Sequence, residues 1–265
     1  MQPSHFPEVT LLVTHYNRST SLERLLKAFQ ALGCTFGEIV VSDDGSRPEH
    51  QEKVAKLHGI YGFRLVSAYQ NAGLGNNINK GQDAVQTPYT LYVQEDFRPT
   101  TQFLPHFRDA LAFMNEDATL DMVRFYAFFD HPIKKPYGKG YSELKFNWWH
   151  PSHLKFFCYS DHPHLRRSDF FQKFGRYIEG KSGDETELSM AFKFIKGKGR
   201  ALFFDRFSTL FDHLNSEDEP STMRKTSWRE SNTIPIRIMR LFYLRFRWMK
   251  NTFQLLFTQP YKASR

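Results

Sequence analysis

Two acidic residues, Glu95 and Asp96, directly follow an apolar run, Tyr89–Val93, with the β-branched and aromatic composition of a buried strand. In open α/β sheets, ligands bind in the crevice outside the carboxyl ends of the strands. Paired carboxylates at such a point suit Mg²⁺ or Mn²⁺ held against the phosphates of a substrate. Taken alone, a Glu-Asp pair favours a solvated turn at a strand end, so its interpretation depends on the rest of the chain.

Two other predicted strand ends carry polar side chains. Asp43-Asp-Gly-Ser46 follows a strand predicted at 38–42, and an Asn- and Gly-rich loop at 71–77 follows a strand at 63–67. Because the carboxyl ends of parallel strands meet at one edge of a sheet, we expect these groups to lie near Asp96. The glycine in the first turn allows a ligand to approach the backbone closely.

The segments between these groups alternate between strand-like and helix-like patterns. A strand at Val9–Val13 precedes a helix that opens with a capping-box pattern, Thr20-Ser-Leu-Glu23, and a second pattern, Ser46-Arg-Pro-Glu49, opens the next helix. Further helices are predicted at 77–85 and 101–115. Strand and helix thus alternate over about 100 residues, which predicts an α/β fold with a mostly parallel central sheet flanked by helices.

The second half of the sequence is less regular. Residues 122–164 are rich in Phe, Tyr, Trp and His and are interrupted by prolines, so we expect short strands and loops that form one wall of a pocket. A capping-box pattern, Ser182-Gly-Asp-Glu185, predicts the start of a later helix, and residues 201–204 have the composition of a strand.

Length, cysteine content and hydropathy restrict the class of protein. The chain has 265 residues and two cysteines, Cys34 and Cys158. Its length suits one large domain or two small ones. Two cysteines cannot form a disulfide framework, which indicates a reducing, cytoplasmic setting. We expect neither a signal peptide nor a membrane-spanning segment, because no run of about 18 uncharged apolar residues occurs.

The positive charge is concentrated at the C-terminal end. Residues 222–265 contain ten Lys and Arg residues and one acid, so the remainder of this +8 chain is close to neutral. We expect residues 215–232 to form a linker and residues 233–265 to form a basic amphipathic helical tail. The apolar positions of this tail are Ile238, Phe242, Phe246, Met249, Phe253 and Leu256, with Arg240, Arg247 and Lys250 on the opposite side.

A basic amphipathic helix with bulky aromatic residues is typical of a segment that lies on a membrane surface. The tail therefore predicts a peripheral protein on the inner face of the cell membrane. The alternative, in which the apolar stripe packs against the main domain, stays open. A nucleic-acid partner is not expected, because no recognisable binding module accompanies the charge.

Five motifs occur in the order and at the spacing typical of one enzyme family. They are Val13-Thr-His-Tyr-Asn-Arg18, Ile39-Val-Val-Ser-Asp-Asp-Gly-Ser46, Asn71-Ala-Gly-Leu-Gly75 with Asn79-Lys-Gly81, Gln94-Glu-Asp96 and Asp184-Glu-Thr-Glu-Leu188. Over residues 9–214 the sequence therefore resembles the family 2 glycosyltransferases, which have the GT-A fold. The resemblance implies a glycosyltransferase domain at 1–214, with a nucleotide-binding half at 1–100 and an acceptor-binding half at 101–214.

The resemblance implies a donor site at the strand ends. Thr14, Tyr16 and Arg18 would border the base and ribose of a nucleotide sugar. Asp43 matches the aspartate that contacts the base, usually uracil, and Asp44 would support its loop. The expected donor is accordingly a UDP-sugar.

The diphosphate end of the donor would lie against Asn79 and the segment Gln94-Glu95-Asp96, which occupies the place of the family's Asp-x-Asp motif. Asp96 would bind Mn²⁺ or Mg²⁺ that bridges the diphosphate. Gln94 stands where the family usually has Asp, and an amide is a poorer metal ligand than a carboxylate. Coordination would then rest on Asp96 with help from Glu95 or from His213, which lies where some relatives place a third ligand; an ordinary loop histidine is the alternative.

The family's catalytic base belongs to an acidic pair at a helix start, which Asp184-Glu185 matches with the two acid types exchanged. Position by position, Glu185 is the candidate base and Asp184 the next. The structural alternative is that Glu185 only completes the capping box with Ser182.

The resemblance further implies an inverting, metal-assisted sugar transfer to a glycan or lipid-linked acceptor, in cell-surface polysaccharide synthesis. Trp148, Trp149 and His150 would either stack on a sugar ring or pack in the core. Two other classes stay open from the sequence: a nucleotidyltransferase built on a similar sheet, and a non-catalytic relative that binds sugar or lipid.

Overall fold

The computed structural model of the protein describes residues 4–214, residue 219 and residues 234–261, without the side chains of residues 234, 235, 237 and 238. The linker predicted at 215–232 therefore lies, apart from Glu219, outside the described residues. All statements below concern the described part of the chain.

Strands and helices alternate through the first hundred residues and become less regular afterwards. The strands are β1 (Ser4–His15), β2 (Cys34–Asp43), β3 (Arg64–Ser67), β4 (Tyr89–Gln94), β5 (Phe97–Pro99), β6 (Met122–Arg124), β7 (Lys134–Gly138), β8 (Tyr141–Leu144), β9 (His164–Arg167), β10 (Ala201–Phe204) and β11 (Phe211–His213). The helices are α1 (Ser19–Ala31), α2 (Pro48–Tyr61), α3 (Leu74–Asp83), α4 (Phe103–Glu116), α5 (Phe170–Phe174), α6 (Gly183–Lys196) and α7 (Ile234–Phe257), with a 3-10 helix at His153–Phe156.

Nine strands form one sheet in the order β3-β2-β1-β4-β9-β6-β10-β8-β7, and β11 pairs with β5 in a separate two-stranded sheet. Only β9 and β8 run against the other strands of the large sheet, since each pairs antiparallel with both of its neighbours. The predicted α/β fold with a mostly parallel central sheet is therefore confirmed.

Alternate side chains of β1 enter two different cores, as the two-residue repeat of a strand requires. Leu11 and Val13 pack on the side covered by α1 and α4. Leu12 packs on the other side, which α3, α5 and α6 cover. Because both faces are apolar, β1 is buried at the centre of the sheet and its carboxyl end is held rigidly.

Close approach of α3 to the sheet depends on Gly81. A Cβ atom at this position would lie 2.6 Å from Leu12 Cδ1 and 2.9 Å from Ser42 Cβ. Any larger residue would push α3 away from β1 and β2, so the motif glycine is explained by packing.

Three of the predicted helix starts differ from the structure. The capping box at Ser182 is present, but α1 begins at Ser19, and its Thr20 and Ser21 amides donate to the Glu219 carboxylate at 2.9 Å each. The helix α2 begins at Pro48 with Arg47 at its N-cap and without a side-chain cap; the Ser46 hydroxyl instead donates to Asp43 and accepts the Asn17 amide. The helix α3 begins at Leu74 rather than at residue 77.

A buried arginine joins the two halves of the domain. Arg166 of β9 is fully buried and donates to Gln82 Oε1 of α3 through Nη2, at 2.7 Å, and through Nε, at 3.2 Å. Its Nη1 donates to the Tyr177 hydroxyl at 2.7 Å. Gln82 also donates to Thr90 Oγ1 of β4. A buried charge is thus supported by neutral oxygen acceptors and by surrounding aromatic rings.

The C-terminal helix α7 packs on the domain with one face only. Leu255 and Asn251 are buried, and Trp248 Nε1 donates to the His150 carbonyl at 3.0 Å. The apolar stripe predicted from the sequence faces the other way and is 56–70% exposed at its described positions. These positions are Phe242, Phe246, Met249, Phe253 and Leu256. No described helix has the length and apolar character needed to span a membrane.

Candidate active site

Parallel pairing brings the polar ends of three strands together. In register, Thr14 of β1 lies beside Ser42 of β2 and Gln94 of β4, and His15 lies beside Asp43. The side chains that were predicted from separate motifs therefore meet at one edge of the sheet. Thr14 is buried and its hydroxyl lies 3.1 Å from the Tyr92 hydroxyl, while Tyr16 is half-buried in the loop that follows.

Asp43 is buried in a network that the sequence did not predict. His15 Nδ1 donates to Asp43 Oδ1 at 2.7 Å, and the Ser46 amide donates to Oδ2 at 3.1 Å. Burial alone would raise the pKa of Asp43, but the hydrogen bonds from His15 and Ser46 lower it, so the carboxylate is charged. The other nitrogen of His15, Nε2, accepts the Arg18 amide at 3.2 Å, which fixes the Nδ1–H tautomer.

Asp44 binds the backbone of the neighbouring loop at 71–77. Its two carboxylate oxygens accept the Ala72 and Gly73 amides at 3.0 Å each. Burial raises the pKa of Asp44, and burial lowers the pKa of the nearby Lys80, whose ammonium donates to the Asp43 carbonyl. The Asp43–Asp44 turn is therefore held by the loop at 71–77 and by α3.

Asn79 lies under the segment that precedes α6. Its side-chain amide accepts the Tyr177 amide at 3.0 Å and donates to the Tyr177 carbonyl at 3.0 Å and to Glu179 at 2.8 Å. The side chain is buried, so these bonds join α3 to the second half of the chain. Its predicted contact with the donor stays a prediction.

The acidic pair after β4 is buried and paired with a cation. Arg18 Nη1 lies 2.8 Å from Asp96 Oδ2 and 3.8 Å from Glu95 Oε1. Burial and the charge of Asp96 raise the pKa of Glu95 to about 8. Burial opposes ionisation of Asp96 too, but the hydrogen bond from His213 and the charge of Arg18 hold the pKa of Asp96 below its usual value. Gln94 is half-buried, and its amide lies 3.4 Å from the Asp161 carbonyl.

His213 reaches Asp96 although 117 residues separate them. The short strand β11 pairs antiparallel with β5, and His213 lies directly opposite Phe97, the residue after Asp96. As a result, His213 Nε2 lies 3.2 Å from Asp96 Oδ2. The structure therefore brings the two candidate metal ligands together, while their role as metal ligands stays a prediction.

The donor set at Asp96 fits a divalent ion. Asp96 Oδ1 is buried and has no hydrogen-bond partner among the residues that the structure describes. An imidazole nitrogen and a carboxylate oxygen at this spacing are ligands that Mn²⁺ accepts. Among the described residues, Gln94 bonds to the Asp161 carbonyl and not to Asp96, so the fit to a divalent ion rests on Asp96 and His213.

Asp184 and Glu185 lie at the exposed start of α6. The Glu185 carboxylate accepts the Ser182 hydroxyl at 2.8 Å and the Ser182 amide at 3.3 Å, which completes a capping box. These hydrogen bonds lower the pKa of Glu185. The structural alternative for Glu185 is thus present, and its catalytic role stays a prediction.

A third acidic group, which sequence reasoning missed, lies beside the cleft. Ligand atoms of Asp161, His162 and Glu187 all lie within 4.8 Å of one another. The Ser160 hydroxyl donates to Glu187 at 2.6 Å and lies 2.9 Å from His162 Nδ1. Asp161 and Glu187 are 26 positions apart. Glu187, like His15 and Ser46, belongs to one of the five motifs, but Asp161 does not, so only the fold reveals the group.

Trp148, Trp149 and His150 lie on the side of the molecule where α7 docks. The Trp148 ring contacts Phe146 with centroids 5.0 Å apart, and the His150 carbonyl accepts the Trp248 side chain. Trp149 is 90% exposed. Their predicted contact with a sugar ring stays a prediction.

The sheet order, the crevice at its carboxyl edge and the acidic and amide side chains within it define a GT-A-like α/β fold. The family model described as glycosyl transferase family 2 matches residues 10–175, which is more than half of the chain. The chain belongs to this family and is a glycosyltransferase. The matched range contains the predicted donor residues and Asp96 and ends before Asp184, Glu185 and His213.

Solved structures with the same fold include TarS from S. aureus. The structure of TarS residues 1–349 in complex with UDP-GlcNAc is 16% identical, with a TM-score of 0.58 over 94% of this chain and 71% of that chain. The complex of the same TarS fragment with UDP is also 16% identical, with a TM-score of 0.56 over 77% of this chain and 59% of that chain. A comparison with curated proteins gave no match.

Proposed function

We propose that the protein transfers a sugar from a nucleotide-sugar donor, a UDP-sugar, to a glycan or lipid-linked acceptor with inversion at the anomeric carbon. The observation that carries this proposal is the convergence of Asp43, Arg18 and Asp96 at the carboxyl edge of the sheet. The TarS complexes with UDP-GlcNAc and UDP, which share the fold, support the choice of nucleotide. The family membership sets aside the nucleotidyltransferase alternative.

The described residues suggest how the donor is held. Thr14, Tyr16, Asp43 and Asp44 would border one end of the crevice, where the base would lie. Arg18 was expected from the sequence at the base and ribose, but its ion pair with Asp96 favours a place toward the diphosphate. Arginine suits this place because its planar guanidinium donates several hydrogen bonds to phosphate oxygens. Gln94 and Glu95 lie between the two ends, and a neutral Glu95 would spare the diphosphate a repelling charge.

Asp96 and His213 would hold Mn²⁺ or Mg²⁺ at the diphosphate. When bound, the ion neutralises charge that develops on the departing nucleoside diphosphate. Asp96 is prepared for this role because Arg18 and His213 keep it ionised. The acceptor oxygen attacks the anomeric carbon from the face opposite the diphosphate, so a single displacement inverts that centre.

The donor assignment is tested by thermal shift with UDP, GDP, CDP and dTDP, each with and without Mn²⁺. We expect UDP to raise the melting temperature most, and only when Mn²⁺ is present, because ligands that bind the folded state stabilise it. The donor-site proposal fails if none of the four nucleotides gives a metal-dependent shift. A non-catalytic relative would bind UDP with Mn²⁺ but would show no hydrolysis of UDP-sugars.

We further propose that the protein lies peripherally on the cytoplasmic face of the cell membrane, in the assembly of a cell-surface polysaccharide. The stripe of α7 that includes Phe246 and Phe253 faces away from the domain and is mostly exposed. Lys250, which the sequence placed on the opposite side, borders the stripe in the helical repeat, as Arg245 does; both are exposed and would face anionic headgroups. An apolar stripe flanked by cations is the arrangement expected at a lipid surface.

Replacing Phe246 and Phe253 together by Ser is expected to weaken binding to phosphatidylglycerol-containing vesicles at least tenfold, roughly the effect of losing two buried apolar side chains. Co-sedimentation with vesicles measures this. The matched control replaces Ile60 and Leu241, two equally exposed apolar residues outside the stripe, by Ser. Equal loss in both double variants, or no binding by the unmodified protein, would contradict the membrane proposal.

A further inference from the structure

We propose that the ring of Phe128 is the surface on which the acceptor lies, and that the acceptor group is therefore a pyranose sugar. This proposal rests on the proposed sugar transfer and names the substrate class on its acceptor side. It assigns a residue that belongs to none of the five sequence motifs.

The position of Phe128 follows from the direction of β6. The strand β9 pairs antiparallel with both β4 and β6, so β6 runs in the same direction as β4. The carboxyl ends of β4 and β6 therefore lie at the same edge of the sheet, and Phe128 comes after β6 as Asp96 comes after β4. The amides of Phe125 and Ala127 each donate to a carbonyl of a neighbouring segment at 3.0 Å, which holds the chain just before Phe128 in place.

The exposure of Phe128 is unusual for this segment. The three residues before it, Phe125, Tyr126 and Ala127, are buried, whereas 49% of Phe128 is exposed. An apolar ring gains free energy when it leaves water, so an exposed ring at the edge of a polar crevice is typical of a surface that a ligand covers. Phe128 is therefore available to a ligand in a segment that is otherwise packed into the domain.

Neighbouring rings hold Phe128 in one orientation. Its centroid lies 5.4 Å from that of Tyr126, 4.9 Å from that of His162 and 5.3 Å from that of His213, at interplanar angles of 86–88°. None of these three rings lies parallel to Phe128, so none of them stacks on it. A ring that is fixed before the ligand arrives loses little conformational entropy on binding, which favours stacking with a ligand ring.

One of these neighbours connects Phe128 to the proposed metal ligands. His213, which packs against Phe128, also has its Nε2 3.2 Å from Asp96 Oδ2. Phe97, next to Asp96 in the chain, packs against both imidazoles, with centroids 5.0 Å from that of His213 and 6.0 Å from that of His162. A ligand on the exposed part of Phe128 therefore lies one side chain away from the proposed diphosphate end, where the acceptor of a sugar transfer must stand.

Polar side chains beside Phe128 suit the hydroxyls of a sugar. His162 Nδ1 lies 2.9 Å from the Ser160 hydroxyl, and that hydroxyl donates to Glu187 at 2.6 Å. A pyranose has apolar C–H bonds on its faces and hydroxyl groups around its rim, so it matches an aromatic ring bordered by hydrogen-bonding groups. An acyclic polyol has no flat apolar face, and a lipid alcohol has no rim of hydroxyls. The surroundings of Phe128 therefore favour a pyranose.

The test uses methyl β-D-glucopyranoside as the pyranose probe and sorbitol as its acyclic counterpart. Saturation-transfer NMR measures the binding of each probe to the full-length protein in the presence of UDP and Mg²⁺. We expect saturation of the glucopyranoside, strongest for the protons of one ring face, and little saturation of sorbitol. The matched control is Phe129, the next residue along the chain, which is 67% exposed. Saturation should be lost in Phe128→Ala and retained in Phe129→Ala.

Kinetics give a second readout, in which UDP release from UDP-GlcNAc or UDP-glucose is measured over a titration of the glucopyranoside. We expect Phe128→Ala to raise the KM for the glucopyranoside roughly tenfold or more, with kcat within about threefold, because the lost interaction is one of binding. Phe128→Leu keeps an apolar side chain but no flat ring and should behave like Phe128→Ala. Phe128→Tyr keeps the ring and should stay within about threefold of the unmodified enzyme.

Four results would overturn the proposal. The first is no saturation of the glucopyranoside in an unmodified protein that binds UDP, and the second is equal saturation of sorbitol. The third is an equal loss in Phe128→Ala and Phe129→Ala. The fourth is a raised Mn²⁺ requirement in Phe128→Ala at an unchanged KM for the glucopyranoside, since Phe128 would then only hold His213. Absence of UDP binding in the unmodified protein would instead contradict the proposed function.

The group attached to the sugar distinguishes a lipid-linked acceptor from a soluble glycan. Octyl β-D-glucopyranoside, used below the concentration at which it forms micelles, carries the same pyranose on an alkyl chain. A KM roughly tenfold lower for the octyl than for the methyl glycoside, lost when Phe246 and Phe253 are replaced by Ser, would indicate a lipid-linked acceptor. Equal KM values would indicate a soluble glycan. Dependence of both glycosides on Phe128 supports the proposal in either case, and independence of both overturns it.

Discussion

Replacing Asp96 by Asn is expected to lower metal-dependent sugar transfer by roughly 1000-fold, which corresponds to about 4 kcal/mol of transition-state stabilisation. Asp96 contacts both Arg18 and His213, at 2.8 and 3.2 Å, and its buried oxygen Oδ1 has no hydrogen-bond partner in the described part of the chain. An amide keeps the shape of the side chain but supplies neither the charge nor the second anionic oxygen. Transfer from UDP-sugar over a Mn²⁺ titration measures the effect.

The neighbouring pair Asp212 and Arg98 offers a matched control. Asp212 lies on β11 beside His213, but it pairs with Arg98 at the surface, where both side chains are more than two-fifths exposed. Exposed ion pairs contribute little, so Asp212→Asn should retain activity and metal dependence. His213→Gln should raise the Mn²⁺ requirement while Asp96→Asn removes the metal response. Full activity of Asp96→Asn would refute the metal assignment.

Replacing Gln82 by Leu is expected to lower the free energy of unfolding by about 3 kcal/mol, because it leaves the buried Arg166 without two of its hydrogen bonds. The substitution also removes the hydrogen bond from the Gln82 amide to Thr90 Oγ1. For a domain of this size the melting temperature should fall by roughly 10 °C. Denaturant unfolding and calorimetry both measure the change.

The exposed Gln86, four residues further along the chain, serves as the control, and Gln86→Leu should change stability by less than about 0.5 kcal/mol. Arg166→Met in the Gln82→Leu background should recover part of the loss, since it removes the buried charge that lacks acceptors. The interpretation would be wrong if the two substitutions were simply additive, because the energy would then come from packing alone.

The nucleotide-binding half could be predicted from the sequence because its signals are local. Apolar runs such as Tyr89–Val93 have a composition that only a buried strand satisfies, and parallel pairing then brings Thr14, Asp43 and Gln94 to one edge without further information. The helix starts were less predictable. Ser46 has the sequence of a cap, yet Arg47 stands at the N-cap of α2, and the Ser46 hydroxyl donates to Asp43 and accepts the Asn17 amide.

The second half was less predictable because its contacts are distant along the chain. Asp161 and Glu187 come together only through the fold, because Glu187 stands in the motif Asp184-Glu-Thr-Glu-Leu188 but Asp161 stands in none of the motifs. The face of α7 that packs on the domain was also not predictable, because its contacts are with residues distant along the chain. The helical repeat identified an apolar stripe through Phe246. The face of α7 that packs on the domain is a different one, which contains Leu255 and Asn251, and α7 contacts the 3-10 helix there. Sequence periodicity gives the stripe and not the side that docks.

The pairing of β5 with β11 has a consequence for how this enzyme can change through evolution. The chain departs at Thr100 and returns at Leu210, where the Thr100 amide donates to the Leu210 carbonyl at 3.0 Å. Residues 101–209 lie between these two points, so both ends of this segment are held beside Asp96. The segment contains β9, which pairs with β4, so its central strands cannot change freely. We expect insertions and deletions around β7 and β8, at the far edge of the sheet, to leave His213 opposite Phe97.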